Sequence, residues 1–238
     1  SARDEFKGHA DVYLDANENP YPTGYNRYPD PLQMEVKEKL AALKKVATSQ
    51  IFLGNGSDEA IDLLIRAFCE PNQDSMIITE PTYGMYQVCA DVNAVAVQRV
   101  LLTPDFDLDL EAIPKTFDAT TKIIFLCSPN NPTGNMLDPA KIIEVLKRFY
   151  GLVVVDEAYI DFSKHKSLIK DLKRFPNLVI LQTFSKAWGL AGLRLGVCYA
   201  SEEIISVLNR IKYPYNVNVE TQRLALQALD NVNKKDDW

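Results

Sequence analysis

From Gln50 onward, short runs rich in β-branched residues alternate with longer amphipathic segments. This alternation predicts an α/β fold, because each amphipathic helix can cover one face of a sheet between two strands. The runs 123–126 and 153–155 are apolar at every position, which is typical of strands buried on both faces of a mostly parallel sheet. The sequence therefore predicts a three-layer α/β/α architecture with a mostly parallel sheet.

The element boundaries follow from the spacing of apolar residues. We predict strands over 75–79, 94–100, 122–127, 152–156, 178–183 and 195–200. Apolar residues three and four positions apart predict helices over 31–43, 58–69, 139–150, 202–211 and 220–229. Residues 1–30, rich in Asn, Pro, Tyr and charge, are expected to form an extended arm, and 31–238 a single large domain that ends in a polar tail over 231–237.

The composition excludes several classes of protein. The chain has 238 residues and a formal net charge of −6, which argues against the phosphate backbone of nucleic acid as its main partner. Its apolar runs are far shorter than the roughly 20 residues that a membrane helix needs. Residues 1–6 show no apolar segment of a secretory signal. We therefore expect a soluble, cytoplasmic protein without nucleic-acid or membrane partners.

The cysteines and histidines give little support to a metal centre. The four cysteines are Cys69, Cys89, Cys127 and Cys198. Their wide spacing predicts reduced, mostly buried thiols rather than a disulfide framework. The two histidines, His9 and His165, are far from each other and from any cysteine, so neither a zinc site nor a histidine-based triad is expected. Any proton transfer must then use another residue type.

Polar segments follow several predicted strands, at the sheet edge where ligands bind in open α/β folds. They are 128–134, 156–159 and 183–186, and Arg194 follows eight residues after Lys186. Each has an ordinary interpretation: Asn131 to Gly134 is a common turn sequence, Asp156 could cap a helix, and most lysines are solvated. A carboxylate placed at the end of an apolar strand nevertheless needs a polar partner. The combination of these segments favours a ligand site.

The residue types at this edge meet the needs of one cofactor. A lysine amine can form a Schiff base, a carboxylate can hold a pyridine nitrogen protonated, and hydroxyls with an arginine can bind a phosphate. These are the requirements of pyridoxal phosphate. Ser57 and Asp58, after the glycines that precede a predicted helix, offer a further phosphate site or simply a helix cap. Tyr83 could stack on a flat cofactor or pack in the core.

The order of these motifs resembles that of the fold-type I pyridoxal-phosphate aminotransferases. The motifs are 56–59 (GSDE), 81–86 (PTYGMY), 128–134 (SPNNPTG), 156–159 (DEAY), 185–186 (SK) and 192–196 (GLRLG). More narrowly, 14–20, 27–30, 66–69 and 214–217 are similar to the histidinol-phosphate aminotransferases. The resemblance covers nearly the whole chain. It implies the large domain of an aspartate-aminotransferase-like fold as the cofactor-binding unit, with the family's C-terminal small domain missing after Trp238.

The resemblance also implies a role for each site residue. Lys186 would form the Schiff base and move a proton between the substrate's α-carbon and the cofactor, and Asp156 would pair with the pyridinium nitrogen. Asn131 and Tyr159 would bind the phenolic oxygen, and Tyr83 would stack on the ring. The implied phosphate ligands are Ser57, Asp58, Thr183, Ser185 and Arg194. Tyr28 would reach the phosphate of the neighbouring subunit's cofactor, which makes a homodimer part of the site.

The implied reaction is a ping-pong exchange of an amino group between L-histidinol phosphate and 2-oxoglutarate, with glutamate as the other amino acid, in histidine biosynthesis. Two related enzymes remain open, a threonine-phosphate decarboxylase and an aromatic aminotransferase, because both would use Lys186 and Asp156 alike. A non-catalytic large-domain fragment that still dimerises is another alternative. A nucleotide-binding α/β protein is disfavoured, since neither a Gly-x-Gly-x-x-Gly nor a Walker lysine motif is present.

Overall fold

The computed structural model describes residues 8, 10 and 12–236. The arm predicted over 1–30 and the start of the chain at 1–6 therefore fall partly or wholly outside the described residues, as do His9 and the end of the predicted tail. Between residue 12 and Met34 the described chain forms neither helix nor strand. Glu18 holds this segment together, because its carboxylate pairs with Arg27 at 2.7 Å and accepts the Tyr28 N–H at 2.6 Å.

The described residues contain one seven-stranded sheet. Its strands are β1 (Ile51–Asn55), β2 (Ser75–Glu80), β3 (Ala96–Leu101), β4 (Thr121–Cys127), β5 (Leu152–Asp156), β6 (Leu178–Thr183) and β7 (Leu195–Tyr199). They lie in the order β1-β7-β6-β5-β4-β2-β3. β7 is antiparallel to both of its neighbours, and the other neighbouring pairs are parallel. The prediction of a mostly parallel sheet is confirmed.

Helices cover both faces of this sheet. They are α1 (Met34–Lys44), α2 (Gly56–Phe68), α3 (Met85–Val92), α4 (Ile113–Thr116), α5 (Pro139–Arg148), α6 (Glu202–Ile211), α7 (Val219–Leu229) and α8 (Val232–Asp236). Side chains alternate across each strand, so Val153 and Val155 pack in one core with α1, α5 and α7. Val154 packs in the other core with α2, α3 and α6. The predicted three-layer α/β/α architecture is confirmed.

Local sequence signals explain where several helices begin. Asp138 accepts the Ala140 N–H at 2.8 Å ahead of Pro139, the first residue of α5. Ser201 caps α6 through the Ile204 N–H, and Asn218 caps α7 through the Thr221 N–H at 2.8 Å. These caps satisfy backbone donors that a helix leaves unpaired at its start.

No helix in the described ranges is long and apolar enough to cross a bilayer.

The structure contains elements that the periodicity did not predict. β1 has only three apolar residues before a glycine, and it is recognised as a strand only through its pairing with β7. The helices α3, α4 and α8 are each eight residues or shorter, too short for a clear apolar stripe. α8 occupies much of the predicted polar tail. Ala94, predicted to start β3, instead has a left-handed φ of 54° that separates α3 from the strand at Ala96.

Candidate active site

A cavity of about 150 Å³ lies at the carboxyl-terminal edge of the parallel strands. Every predicted site residue except Tyr28 lines it, namely Ser57, Asp58, Tyr83, Asn131, Asp156, Tyr159, Thr183, Ser185, Lys186 and Arg194. Sequence reasoning missed four further lining residues, Gly56, Cys127, Ala158 and Ala191. Residues from widely separated parts of the chain therefore meet in one place.

The strand directions explain this convergence. The segments after β1, β2, β4, β5 and β6 all leave the sheet at the same edge, because these strands run in the same direction. Arg194 instead precedes β7, which is antiparallel to its neighbours and so begins at that edge. Its backbone carbonyl accepts the Gly56 N–H at 2.8 Å, which joins Arg194 to the start of α2.

Asp156 is the buried carboxylate of the cavity, with 2% of its surface exposed. The Tyr86 hydroxyl donates to its Oδ2 at 2.8 Å, and the Ala158 N–H donates to its Oδ1 at 3.0 Å. Burial raises the pKa of Asp156, and these two hydrogen bonds oppose the rise. The Asp58 carboxylate further raises this pKa and the Lys186 ammonium lowers it. A cationic ligand in the cavity would therefore favour the ionised form of this carboxyl group.

Lys186 also lines the cavity and is exposed. Its Nζ lies 5.2 Å from the centroid of the Tyr159 ring, within the range of a cation–π contact. Tyr159 follows β5 and Lys186 follows β6, which is the neighbouring strand. The amine is therefore placed beside an aromatic ring and accessible to a small molecule.

A set of anion-binding groups surrounds the start of α2. This helix has 13 residues. Apart from the Gly56 N–H, which is bonded to Arg194, the N–H groups of its first turn have no partner within the helix and can point at a ligand. The Thr183 and Ser185 hydroxyls lie 3.0 Å apart nearby. Arg194 Nη2 is 3.5 Å from Asp58 Oδ2, so a weak, half-exposed ion pair holds the guanidinium beside the first turn of α2. These groups form an arrangement suited to a phosphate.

Gly56 is needed for this arrangement. It has a φ of +72°, and a Cβ built on it would lie 2.6 Å from Arg194 Nη2. The left-handed backbone and the close guanidinium both favour glycine at this position. The glycines that preceded the predicted helix therefore serve the approach of Arg194 as well as the turn.

Tyr83 connects the ring side of the cavity to the anion-binding side. Its hydroxyl donates to Asp58 Oδ1 at 3.2 Å, and its ring meets the Tyr86 ring edge-on with centroids 5.6 Å apart. Burial, followed by the Asp58 charge, raises the pKa of Tyr83 to about 12. The phenol therefore stays protonated at neutral pH.

Asn131 lines the cavity, and its neighbour Asn130 fixes the loop that carries it. Asn130 is 3% exposed, donates to the Pro81 carbonyl at 2.9 Å and accepts the Thr82 hydroxyl at 3.1 Å. These bonds tie the loop after β4 to the loop after β2. In the sequence, Asn130 is one residue of the 128–134 motif, and nothing in its type distinguishes it from Asn131.

Glu157, another residue that sequence reasoning did not single out, organises the opposite side of the sheet. It is 2% exposed and accepts from the Ser167 hydroxyl at 2.5 Å, the Leu168 N–H at 2.8 Å and Gln182 Nε2 at 2.9 Å. These bonds connect the segment that carries Tyr159 to β6, which leads to Lys186. The sequence signal that could have identified Glu157 is its position as a second carboxylate directly after Asp156.

Tyr28 does not line the cavity of its own chain. It is 51% exposed, and its ring stacks on Tyr215 with centroids 4.3 Å apart. The structure therefore does not bring Tyr28 together with the other site residues, and its role across a subunit boundary stays a prediction.

The thiols and possible metal ligands can be placed as well. All four cysteines are buried and free, as the sequence predicts. Burial raises the pKa of Cys127, the one that lines the cavity, to about 12. Within residues 8, 10 and 12–236, His, Cys, Asp and Glu side chains form no group of three or more that could hold a metal ion.

Comparison with known proteins decides the family. The model of the aminotransferase class I and II family matches residues 11–238. The chain belongs to this family. It is 62% identical to the histidinol-phosphate aminotransferase of Parabacteroides distasonis over 231 residues, which cover 97% of this chain and 67% of that relative. It is 58% identical to the enzyme of the same name from Cytophaga hutchinsonii, with 100% of this chain and 69% of the relative covered. The chain thus spans about two thirds of the length of these curated relatives.

Solved structures share the fold of this aminotransferase. The histidinol-phosphate aminotransferase from Clostridium acetobutylicum superposes with a TM-score of 0.81 and 25% identity, covering 90% of this chain and 64% of that one. The L-threonine-O-3-phosphate decarboxylase from Porphyromonas gingivalis gives a TM-score of 0.73 and 25% identity, with coverages of 87% and 63%. The two enzymes differ in reaction, so the fold alone does not select the substrate.

Proposed function

We propose that the protein is a pyridoxal-phosphate-dependent aminotransferase that exchanges an amino group between L-histidinol phosphate and 2-oxoglutarate. One observation carries the proposal: an exposed lysine, a buried carboxylate and the start of α2 line a single cavity. Membership of the aminotransferase family supports the reaction class. The names of the two curated relatives support the amino donor.

The residues of the cavity fit pyridoxal phosphate. When bound, this cofactor supplies an aldehyde that condenses with amines and a ring that withdraws electrons from the substrate's α-carbon. Asp156 is the group that would hold the ring nitrogen protonated, and Asn131 and Tyr159 would bind the phenolic oxygen. Tyr83 would stack on the ring. Ser57, Asp58, Thr183, Ser185 and Arg194 would hold the phosphate, and the Asp58 carboxylate would also orient Arg194 and Tyr83.

Lys186 is the residue whose amine would condense with the cofactor's aldehyde and transfer the proton of the substrate's α-carbon. Its amine is accessible, and it lines the same cavity as Asp156. A free amine that has been displaced by substrate can take a proton from one carbon and return it to another. The Tyr159 ring beside the amine limits the positions that the amine can take.

The assembly and location belong to the same proposal. Tyr28 is exposed and outside its own cavity, which suits a residue that completes the phosphate site of a second subunit in a homodimer. Four free and buried thiols suit the reducing cytoplasm. The net charge of −6 supports small molecules rather than nucleic acid as ligands.

The cofactor site is tested by titrating the protein with pyridoxal phosphate, followed by borohydride reduction and peptide mapping. We expect one reduced adduct, at Lys186, and none in Lys186→Ala. Lys173→Ala, which removes an exposed lysine outside the cavity, should keep the adduct. Adducts spread over several lysines, or an unchanged adduct in Lys186→Ala, would refute the proposed site.

The reaction is tested by incubating the loaded protein with candidate amino acids and 2-oxoglutarate. Glutamate formed only with L-histidinol phosphate supports the proposal. Release of carbon dioxide from threonine phosphate would favour the decarboxylase, and glutamate formed from aromatic amino acids an aromatic aminotransferase. An adduct at Lys186 without any turnover would support a non-catalytic cofactor-binding protein.

A further inference from the structure

Tyr86 contacts Asp156 from the interior of the protein. Its side chain is fully buried and does not line the cavity, yet its hydroxyl lies 2.8 Å from Asp156 Oδ2. The carboxylate therefore meets the cavity on one side and a phenol on the other. A ligand in the cavity can contact Asp156 without displacing Tyr86.

We propose that Tyr86 is a positioning residue that fixes the rotation of the Asp156 carboxylate and stabilises its ionised form for the cofactor's ring nitrogen. The inference rests on the proposed function, because it names the residue that prepares Asp156 for pyridoxal phosphate. It concerns a residue of this chain that does not itself touch the cofactor.

The position of the hydroxyl is set before any ligand binds. The Tyr86 ring stacks on Phe125 with centroids 4.7 Å apart and an interplanar angle of 19°. It also meets the Tyr83 ring at nearly a right angle, with centroids 5.6 Å apart. With the ring fixed by both neighbours, the hydroxyl has one place to lie. The Ala158 N–H holds the other carboxylate oxygen at 3.0 Å, so the two donors together define the plane of the group.

The chemistry of the hydrogen bond favours the charged form of Asp156. A phenol donates more strongly to a carboxylate than to a neutral carboxyl group, and a buried hydroxyl without a partner is unfavourable. Burial raises the pKa of Asp156, whereas the Tyr86 and Ala158 donors lower it. Tyr86 thus offsets part of the cost of keeping a charge in the core.

Other groups near Asp156 act in both directions. Asp58, at the start of α2, raises the pKa of Asp156, and Lys186, after β6, lowers it. The Cys127 thiol on β4 and the Tyr83 phenol are both protonated at neutral pH, since their pKa values are about 12. Among these groups Tyr86 is the one that donates a hydrogen bond from a fully buried side chain.

The test is Tyr86→Phe, which removes the hydroxyl and keeps the ring. Tyr199→Phe is the matched control, because Tyr199 is also fully buried and its hydroxyl has no hydrogen-bond partner among the described residues. The first measurement is the titration of Asp156 in the cofactor-free protein by NMR of isotope-labelled aspartate carboxyl carbons. The Asp156 signal is assigned by its loss in Asp156→Asn. The second is the dissociation constant of pyridoxal phosphate.

We expect the titration midpoint of Asp156 to rise in Tyr86→Phe and to stay at the wild-type value in Tyr199→Phe. The dissociation constant should increase about tenfold in Tyr86→Phe alone, as for loss of one charge-assisted hydrogen bond. If Tyr86→Phe does not fold, a fluorotyrosine at position 86 keeps the shape and strengthens the donor. It should then lower the midpoint.

The outcomes separate this inference from the proposed function. An adduct at Lys186 in the wild type, together with an unchanged Asp156 midpoint in Tyr86→Phe, overturns the inference and leaves the function standing. No adduct in the wild type overturns both. A shifted midpoint with unchanged cofactor affinity shows that Tyr86 affects Asp156 but does not prepare it for the cofactor, and it also overturns the inference.

Discussion

Two adjacent carboxylates, Asp156 and Glu157, are both buried at the end of β5 and contact opposite layers of the protein. Asp156 meets Tyr86 on the side of α3, and Glu157 meets Ser167 and Gln182 on the other side. Burial raises the pKa of both groups above their ordinary values of 3.8 and 4.5. A raised folded-state pKa means that the neutral form is favoured in the fold. The stability that this provides is present at low pH and is lost as pH rises through the folded-state pKa.

Asp156→Asn should therefore make the cofactor-free protein more stable at neutral pH and less sensitive to pH above about 4. The asparagine cannot ionise, so the cost of burying the charge disappears, while cofactor binding weakens. Urea unfolding between about pH 5 and 8 measures both effects. Asp109→Asn is a control of opposite sign, since backbone hydrogen bonds lower the pKa of Asp109. A loss of stability in Asp156→Asn at neutral pH would contradict the assignment.

Gly56→Ala tests the approach of Arg194 to the start of α2. The added Cβ would meet the guanidinium at 2.6 Å on a backbone with a φ of +72°. Cofactor affinity should fall more than tenfold, because Arg194 must move away from the phosphate site. Gly24→Ala imposes a similar strain, at a φ of +86°, but meets nothing within 4 Å. It should leave affinity unchanged, and equal losses in both variants would show that backbone strain alone is responsible.

At the scale of the elements, the sequence predicted those that carry a strong pattern. Strands such as β5 and β6 each begin with four apolar residues, and their predicted bounds agree with the structure. β1 was missed because its glycine and asparagine are turn formers, and pairing with β7 decides its conformation. The antiparallel direction of β7 was also not predictable from the sequence pattern. It depends on the path of the chain after β6, which local periodicity does not record.

One loop supports the start of α2 from outside the cavity. Asn216, between α6 and α7, donates to the Leu53 carbonyl at 3.0 Å and to Glu59 Oε2 at 3.0 Å. Glu59 Oε2 in turn accepts the Asn55 N–H at 2.5 Å. This chain of bonds connects the loop to β1 and to the first turn of α2. Its loss should therefore disturb both stability and phosphate binding.

Asn216→Ala should lower the free energy of unfolding by about 1–3 kcal/mol and weaken cofactor binding. The matched control is Asn177→Ala. Asn177 donates to the carbonyls of Phe149 and Gly151 at 3.0 and 3.1 Å, far from the cavity lining. That variant should lose stability alone. Denaturant unfolding and cofactor titration separate the two effects, and equal cofactor affinity in both variants would rule out a supporting role for the loop.

At the scale of the whole molecule, the candidate site was predictable because its motifs follow successive strands. The structure brings ten of the predicted residues into one cavity, as the topology of a parallel sheet requires. The supporting residues Tyr86, Asn130 and Glu157 were not predicted, because their importance depends on what they touch rather than on their type. The structure of one chain does not test the predicted contact of Tyr28, since the expected partner belongs to another subunit.

The proposed homodimer predicts that two defective variants restore each other. In a hybrid of Lys186→Ala and Tyr28→Phe, one site combines an intact Lys186 with an intact Tyr28, and the other site contains both defects. Tyr28→Phe keeps the ring that stacks on Tyr215. Random mixing makes half of the dimers hybrids, so roughly one site in four becomes intact.

The measurement is borohydride-reduced adduct at limiting pyridoxal phosphate, before and after the two variants are mixed and allowed to exchange subunits. We expect more adduct in the mixture than in the sum of the separate samples. Tyr21→Phe, a change at another exposed tyrosine of the same segment, should show full adduct by itself and no gain on mixing. If mixing Tyr28→Phe with Lys186→Ala gives no gain, Tyr28 does not act across the subunit boundary, and the shared-site form of the dimer is wrong.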